Sequence, residues 1–136
     1  MNINEQMEEI VTKIRNHLGE QLDFIVLFGS EATGHSHPLS DIDIGVRVSN
    51  PTKGLHDTFA NLLSLFDYTD SSSFPRIDVT LLNLASLTLL YRVVRDGKIL
   101  YAKDDEVWSC FVEYVLGRYP DWEYYIENYL RQSLGA

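Results

Sequence analysis

Cysteine occurs once in this chain of 136 residues, at Cys110. A single thiol excludes a disulfide framework and any zinc module built on paired cysteines, and it makes a reducing compartment, the cytoplasm, the expected location. Long apolar runs are missing as well. None approaches the roughly 20 residues that a bilayer span requires, and Met1-Asn2-Ile3-Asn4-Glu5 lacks the basic start of a secretion signal, so no membrane role is expected. Positive charge is scarce: 11 Lys and Arg stand against 20 Asp and Glu, a net charge of −9. Such a surface repels phosphate backbones, which removes nucleic acid from the expected partners. A small ligand whose charge is neutralised by metal, or a basic protein, remains. No repeat or linker interrupts the chain, and the longest monotonous tract is Ser71-Ser72-Ser73. The length suits one domain, residues 1–136.

What is present is a regular alternation of helical and extended patterns. Ile3, Met7, Ile10, Val11, Ile14 and Leu18 recur at helical spacing, with Asn2 and Glu5 spaced as a capping box and Gly19 as the stop. The run Phe24-Ile25-Val26-Leu27-Phe28 is apolar at every position, which predicts a central strand covered on both faces. From Asp41 to Val48 the period is two, with Ile42, Ile44, Val46 and Val48 on one face and Asp41, Asp43, Gly45 and Arg47 on the other. A helix is predicted over 55–66 and a strand over 76–82, the latter placing Arg76, Asp78 and Thr80 opposite Ile77, Val79 and Leu81. A helix over 84–95 follows. Asp96-Gly97 then leads into a strand over 99–102, although the same pair could turn a hairpin. Asp104 or Asp105 caps a helix carrying Trp108, Phe111, Val112 and Val115 on one stripe, and Pro120 opens a last helix. The fold class is therefore α/β (α+β), a small mixed sheet flanked by helices.

Three acids sit on strands that otherwise look built for burial: Asp41 and Asp43 on one, Asp78 on another. Carboxylates two apart on a strand project onto one face about 7 Å from each other and repel unless paired or coordinated. A divalent cation relieves this. Mg²⁺ takes one or two carboxylates together with substrate phosphates, and a third carboxylate from a neighbouring strand permits a second ion for in-line phosphoryl chemistry. Gly29-Ser30, at the end of the apolar strand, offers a turn whose backbone can approach a phosphate closely. Bland readings compete with this one. Asp41 after Pro38 and Ser40 suits a turn, and Asp78 alone suits strand-end decoration. A calcium loop is disfavoured because Gly45 stands where a ligand belongs. His35 and His37 are read as solvated loop residues, Cys110 as a small core residue, and some of the tail tyrosines as part of an interface.

Gly29-Ser30, ten residues, Asp41-Ile42-Asp43 and the later Asp78 together resemble the signature of the DNA polymerase β-like nucleotidyltransferase superfamily. By average residue frequencies Gly-Ser-x10-Asp-x-Asp arises by chance on the order of once in a thousand chains of this length. The small size and the segment Arg95-Asp96-Gly97-Lys98-Ile99-Leu100-Tyr101 look most like the minimal nucleotidyltransferases, the MntA-type antitoxins encoded beside HEPN ribonuclease toxins. The resemblance covers about residues 24–102, with helices over 104–134 matching in kind.

That resemblance implies the nucleotidyltransferase fold and an antitoxin of a type VII toxin–antitoxin system. Such an enzyme transfers AMP from ATP, with Mg²⁺, onto a tyrosine of a cognate HEPN RNase toxin and forms a hetero-oligomer with it. It implies that Gly29 and Ser30 hold the triphosphate and that Asp41 and Asp43 bind two metal ions and, through them, the nucleotide. Asp78 would complete the metal site and act as base. Glu31 stands where many members carry Arg, so Arg47 or Arg76 is the expected source of compensating positive charge. Two other readings are a small-molecule nucleotidyltransferase of the aminoglycoside-modifying kind and an antitoxin that acts by occlusion alone.

Overall fold

A computed structural model describes residues 3–29, 42–66 and 77–133. Helix α1 (Ile3–Leu18) is followed by a 3-10 turn over Gly19–Gln21 and strand β1 (Leu22–Phe28). Then come β2 (Ile42–Val48), α2 (Leu55–Leu65), β3 (Ile77–Leu81), a 3-10 turn over Leu82–Leu84, α3 (Leu87–Asp96), β4 (Lys98–Ala102) and α4 (Asp105–Ser133). The predicted order of elements holds as far as the start of α4, and Asn2 of the expected capping box lies outside the described residues.

The strands form a mixed sheet in the order β3-β2-β1-β4. β1 runs antiparallel to both β2 and β4, whereas β3 runs parallel to β2. Central position explains the composition of β1: every residue from Phe24 to Phe28 is buried. Its odd-numbered residues Ile25 and Leu27 join Ile42, Ile44, Val46, Ile14 and Leu62 in a core under α1 and α2. The even-numbered Phe24, Val26 and Phe28 join Leu90, Val93, Phe111 and Val115 in a second core under α3 and α4. Each such side chain removed from water contributes about 1.5–3 kcal/mol. Phe24 is the hub of the second core, in edge contact with Trp108 at 5.1 Å and Phe111 at 5.0 Å between ring centroids.

Side chains finish what the backbone leaves open. Ser86 accepts from the Leu89 N–H to start α3, and Asp104 accepts from the Val107 N–H at 2.9 Å to start α4, as its cap position in the sequence predicts. At the end of α3, Arg95 forks onto Asp96 at 2.7 and 3.0 Å, and this hydrogen bond holds the Asp96 carboxyl below its ordinary range. Beyond the last residue of β3, Asn83 extends the sheet: its amide donates to the Val48 carbonyl at 2.8 Å and accepts from the Val48 N–H at 3.0 Å. Asn83→Ala leaves both Val48 groups unpaired in a part-buried place. It is expected to lower stability by about 1–3 kcal/mol in urea unfolding without affecting chemistry at the opposite end of the strands.

Two expectations are corrected. Pro120 does not open a separate helix, because α4 continues through it to Ser133. Proline there removes one helical hydrogen bond, to the Leu116 carbonyl, and Leu116 is 43% exposed, where water can take the donor's place. Cys110 is exposed and not a core residue. The inward stripe of α4 runs through Phe111 and Val115, and position 110 lies about 100° around the helix from 111.

Candidate active site

Antiparallel pairing of β1 with β2 and parallel pairing of β2 with β3 bring the end of one strand and the beginnings of two others to the same edge of the sheet. In register, Phe28 stands opposite Asp43, and Asp43 opposite Asp78. Neighbouring strands are about 4.8 Å apart, and residues paired in register share a face. The two carboxylates therefore project side by side on the face toward α3 and α4. Asp43 is half-buried and Asp78 exposed. Asp41 and Ser30 lie outside the described residues, so the structure brings together Gly29, Asp43 and Asp78 of the five expected site residues.

Gly29 immediately follows β1 with φ +79°, a left-handed conformation that side chains rarely adopt. A Cβ built there would collide with the Asp43 carboxylate and come within 3.2 Å of its Cγ. The sequence suggests glycine for close approach of a phosphate. The structure adds a second demand, that its absent side chain leaves room for Asp43. Nothing in a single sequence signals this, since it arises from the pairing of β1 with β2.

The donor set fits a hard divalent cation. Two carboxylates aligned on adjacent strands oppose each other electrostatically, and a cation between them and an incoming phosphate converts that repulsion into attraction. Among the described residues no three acidic, histidine or cysteine side chains cluster. Arg47 does not supply positive charge to this edge. It stands four residues further along β2, about 13 Å away along the strand, and its guanidinium lies 5.3 Å from the Phe111 ring centroid. Lys98 begins β4 at the site's own edge but is paired with Leu27, a residue of the opposite core. Arg76 and Glu31 lie outside the described residues.

The family model of the polymerase beta nucleotidyltransferases matches residues 8–106, and the chain belongs to this family. Its fold is the nucleotidyltransferase fold. A toxin–antitoxin solved with AMP-PNP is 24% identical, with a TM-score of 0.71, over 93% of this chain and 98% of that one. A mutant MntA–HpeT toxin–antitoxin is 25% identical, with a TM-score of 0.72, over 98% of each chain. An MNT antitoxin in complex with the tri-AMPylated HEPN toxin of Shewanella oneidensis is 21% identical, with a TM-score of 0.71, over 96% of this chain and 98% of that one. Comparison with curated protein sequences finds no match. Among the described residues no helix is long and apolar enough to cross a membrane.

Proposed function

We propose that this chain is a cytoplasmic antitoxin that transfers AMP from ATP to a tyrosine hydroxyl of a HEPN ribonuclease toxin, in complex with which it acts. The observation that carries the reading is the placement of Asp43 and Asp78 in register beside the Gly29 turn, in a chain of this family. The likeness in fold and in length to antitoxins solved with AMP-PNP or with an AMPylated HEPN toxin supports the choice of nucleotide and partner.

In this reading Asp41, Asp43 and Asp78 would hold Mg²⁺, two ions by preference. When bound, the metal supplies charge neutralisation at the phosphates of the entering nucleotide. The turn at Gly29, with Ser30 next in the chain, would let backbone N–H groups meet the triphosphate, and Asp43 is placed against Gly29. The incoming tyrosine hydroxyl attacks the α-phosphorus, its proton passes to Asp78, the exposed carboxylate, and pyrophosphate leaves. Little covalent chemistry is asked of the protein, so alignment and electrostatics supply the rate.

Incubation with a HEPN protein encoded beside this chain, labelled ATP and Mg²⁺, followed by mass spectrometry of both proteins, tests the proposal. AMP on a tyrosine of the HEPN protein is the expected result. A partner fully inhibited yet unmodified would indicate occlusion, and no complex at all would point to a small-molecule acceptor. Asp78→Asn separates the roles of the two described acids. A group that acts on the acceptor matters chiefly in the transition state, so the transfer rate is expected to fall by about 10²-fold or more while ATP affinity changes little. Loss of the like charge opposite Asp43 is worth about 0.2–1 kcal/mol, so the melting temperature should hold or rise by up to about 4 °C. An effect confined to ATP affinity would make Asp78 a ground-state ligand.

A further inference from the structure

A cavity whose lining includes the charged side chains of Asp23, Arg47, Lys103, Asp104 and Glu106 lies at the other end of the sheet. It is an open cleft of about 480 Å³ between the end of β2, the start of β1 and the first turns of α4, and Cys110 and Tyr114 also line it. Arg47 is half-buried, with its guanidinium 5.3 Å from the Phe111 ring centroid and 5.9 Å from that of Tyr114. Among the described residues no carboxylate comes within 4.0 Å of it and no acceptor takes its N–H groups, in a chain with 20 acidic residues. A planar cation held against two rings with its donors unused is prepared for an oxyanion. Lys103 donates once, to the Glu20 carbonyl at 3.0 Å, and keeps two further donors.

The other lining groups narrow the ligand. Asp23 accepts from the Ser49 hydroxyl at 2.6 Å and Asp104 caps α4, so both carboxylates are fixed in place while retaining lone pairs for hydroxyl or amine donors. Tyr114 is 43% exposed, and the Arg118 guanidinium lies 4.0 Å from its ring centroid, so part of the ring is covered and the rest faces the cleft. Two cations alone would accept any anion. Cations together with fixed acceptors and a partly open ring suit a phosphate joined to a donor-bearing aromatic group, and the volume lies within the range of small-molecule sites. We infer that this cavity is a second nucleotide site, taking a nucleoside monophosphate with its phosphate on Arg47 and Lys103.

It is physically separate from the candidate active site. Gly45 lies between Asp43 and Arg47 on the same face of β2, and a Cβ there would come within 3.0 Å of Leu82 Cδ2 and Val26 Cγ1. These side chains cover the strand between Asp43 and Arg47.

Cys110, the only cysteine, is exposed on the cavity wall and reports occupancy without reference to catalysis. The rate of its alkylation by iodoacetamide is to be measured in the full chain with AMP, adenosine or inorganic phosphate, without Mg²⁺. AMP is expected to slow alkylation in the wild-type chain and equally in Asp43→Asn. In Arg47→Lys and in Lys103→Met the AMP concentration giving half-protection should rise at least tenfold, with circular dichroism unchanged. Absence of protection by AMP overturns the inference. So does equal protection by phosphate alone, which marks a simple anion site, and so does protection lost in Asp43→Asn yet kept in Arg47→Lys.

Discussion

Asp43→Asn is expected to reduce AMP transfer by about 10²–10³-fold or more while the chain remains folded, an effect on the scale of losing one preorganised electrostatic partner of a transition state, about 2.7–4 kcal/mol. The carboxylate is flanked by the turn at Gly29 and by Asp78 in register, so it stands where a metal ion can touch both protein and phosphate. Asparagine has the same shape and offers a neutral oxygen, which coordinates Mg²⁺ poorly and cannot offset its charge. Asp41→Asn is expected to act in the same way. A coupled assay of transfer, with circular dichroism on the same samples, decides the matter. Wild-type rates in a folded Asp43→Asn protein would place the chemistry elsewhere.

Gly29→Ala is expected to be the most damaging substitution of a single methyl group. Alanine at φ +79° costs about 1–2 kcal/mol for conformation alone, and its Cβ must also displace the Asp43 carboxylate. Both the melting temperature and the transfer rate should fall, the former by several degrees and the latter by about 10²-fold, as misplacement by about 1 Å can produce. Gly19→Ala is the matched control. Gly19 has φ +56°, with nothing within 4 Å of a built Cβ. It should show the conformational cost without the loss of rate. Equal rates for the two variants would mean that the contact between Gly29 and Asp43 has no part in the chemistry.

The strands were the most legible part of this sequence, for reasons particular to each. Five consecutive apolar residues, Phe24 to Phe28, demanded cover on both faces, and β1 is indeed central with a core on either side. The alternation around Asp43 and around Asp78 identified two strands and the face each acid occupies. It could not show that Asp43 and Asp78 are register neighbours, since that depends on a parallel pairing between segments about 35 residues apart. Helix ends marked by capping residues were clear, as at Asp104, whereas Pro120 misled because one lost hydrogen bond does not stop a long helix. The destination of Arg47 was invisible as well. On the strand pattern it shares a face with Asp43, yet only the packing of α4 shows that its guanidinium is held by Phe111 and Tyr114.

The parallel pairing of β2 with β3 also bears on when the protein becomes competent during synthesis. Hairpin-like contacts form early, but an in-register parallel pair requires the long excursion through α2 to close first, and such non-local closures come late in folding. The partner of Asp43 is thus supplied only after Leu81 has left the ribosome. A truncated or half-folded chain presents Asp43 beside Gly29 without Asp78 aligned against it, and so lacks the carboxylate that the paired strand contributes. Metal and nucleotide then stabilise the finished fold by mass action, and amide exchange along β3 should slow most when both are supplied.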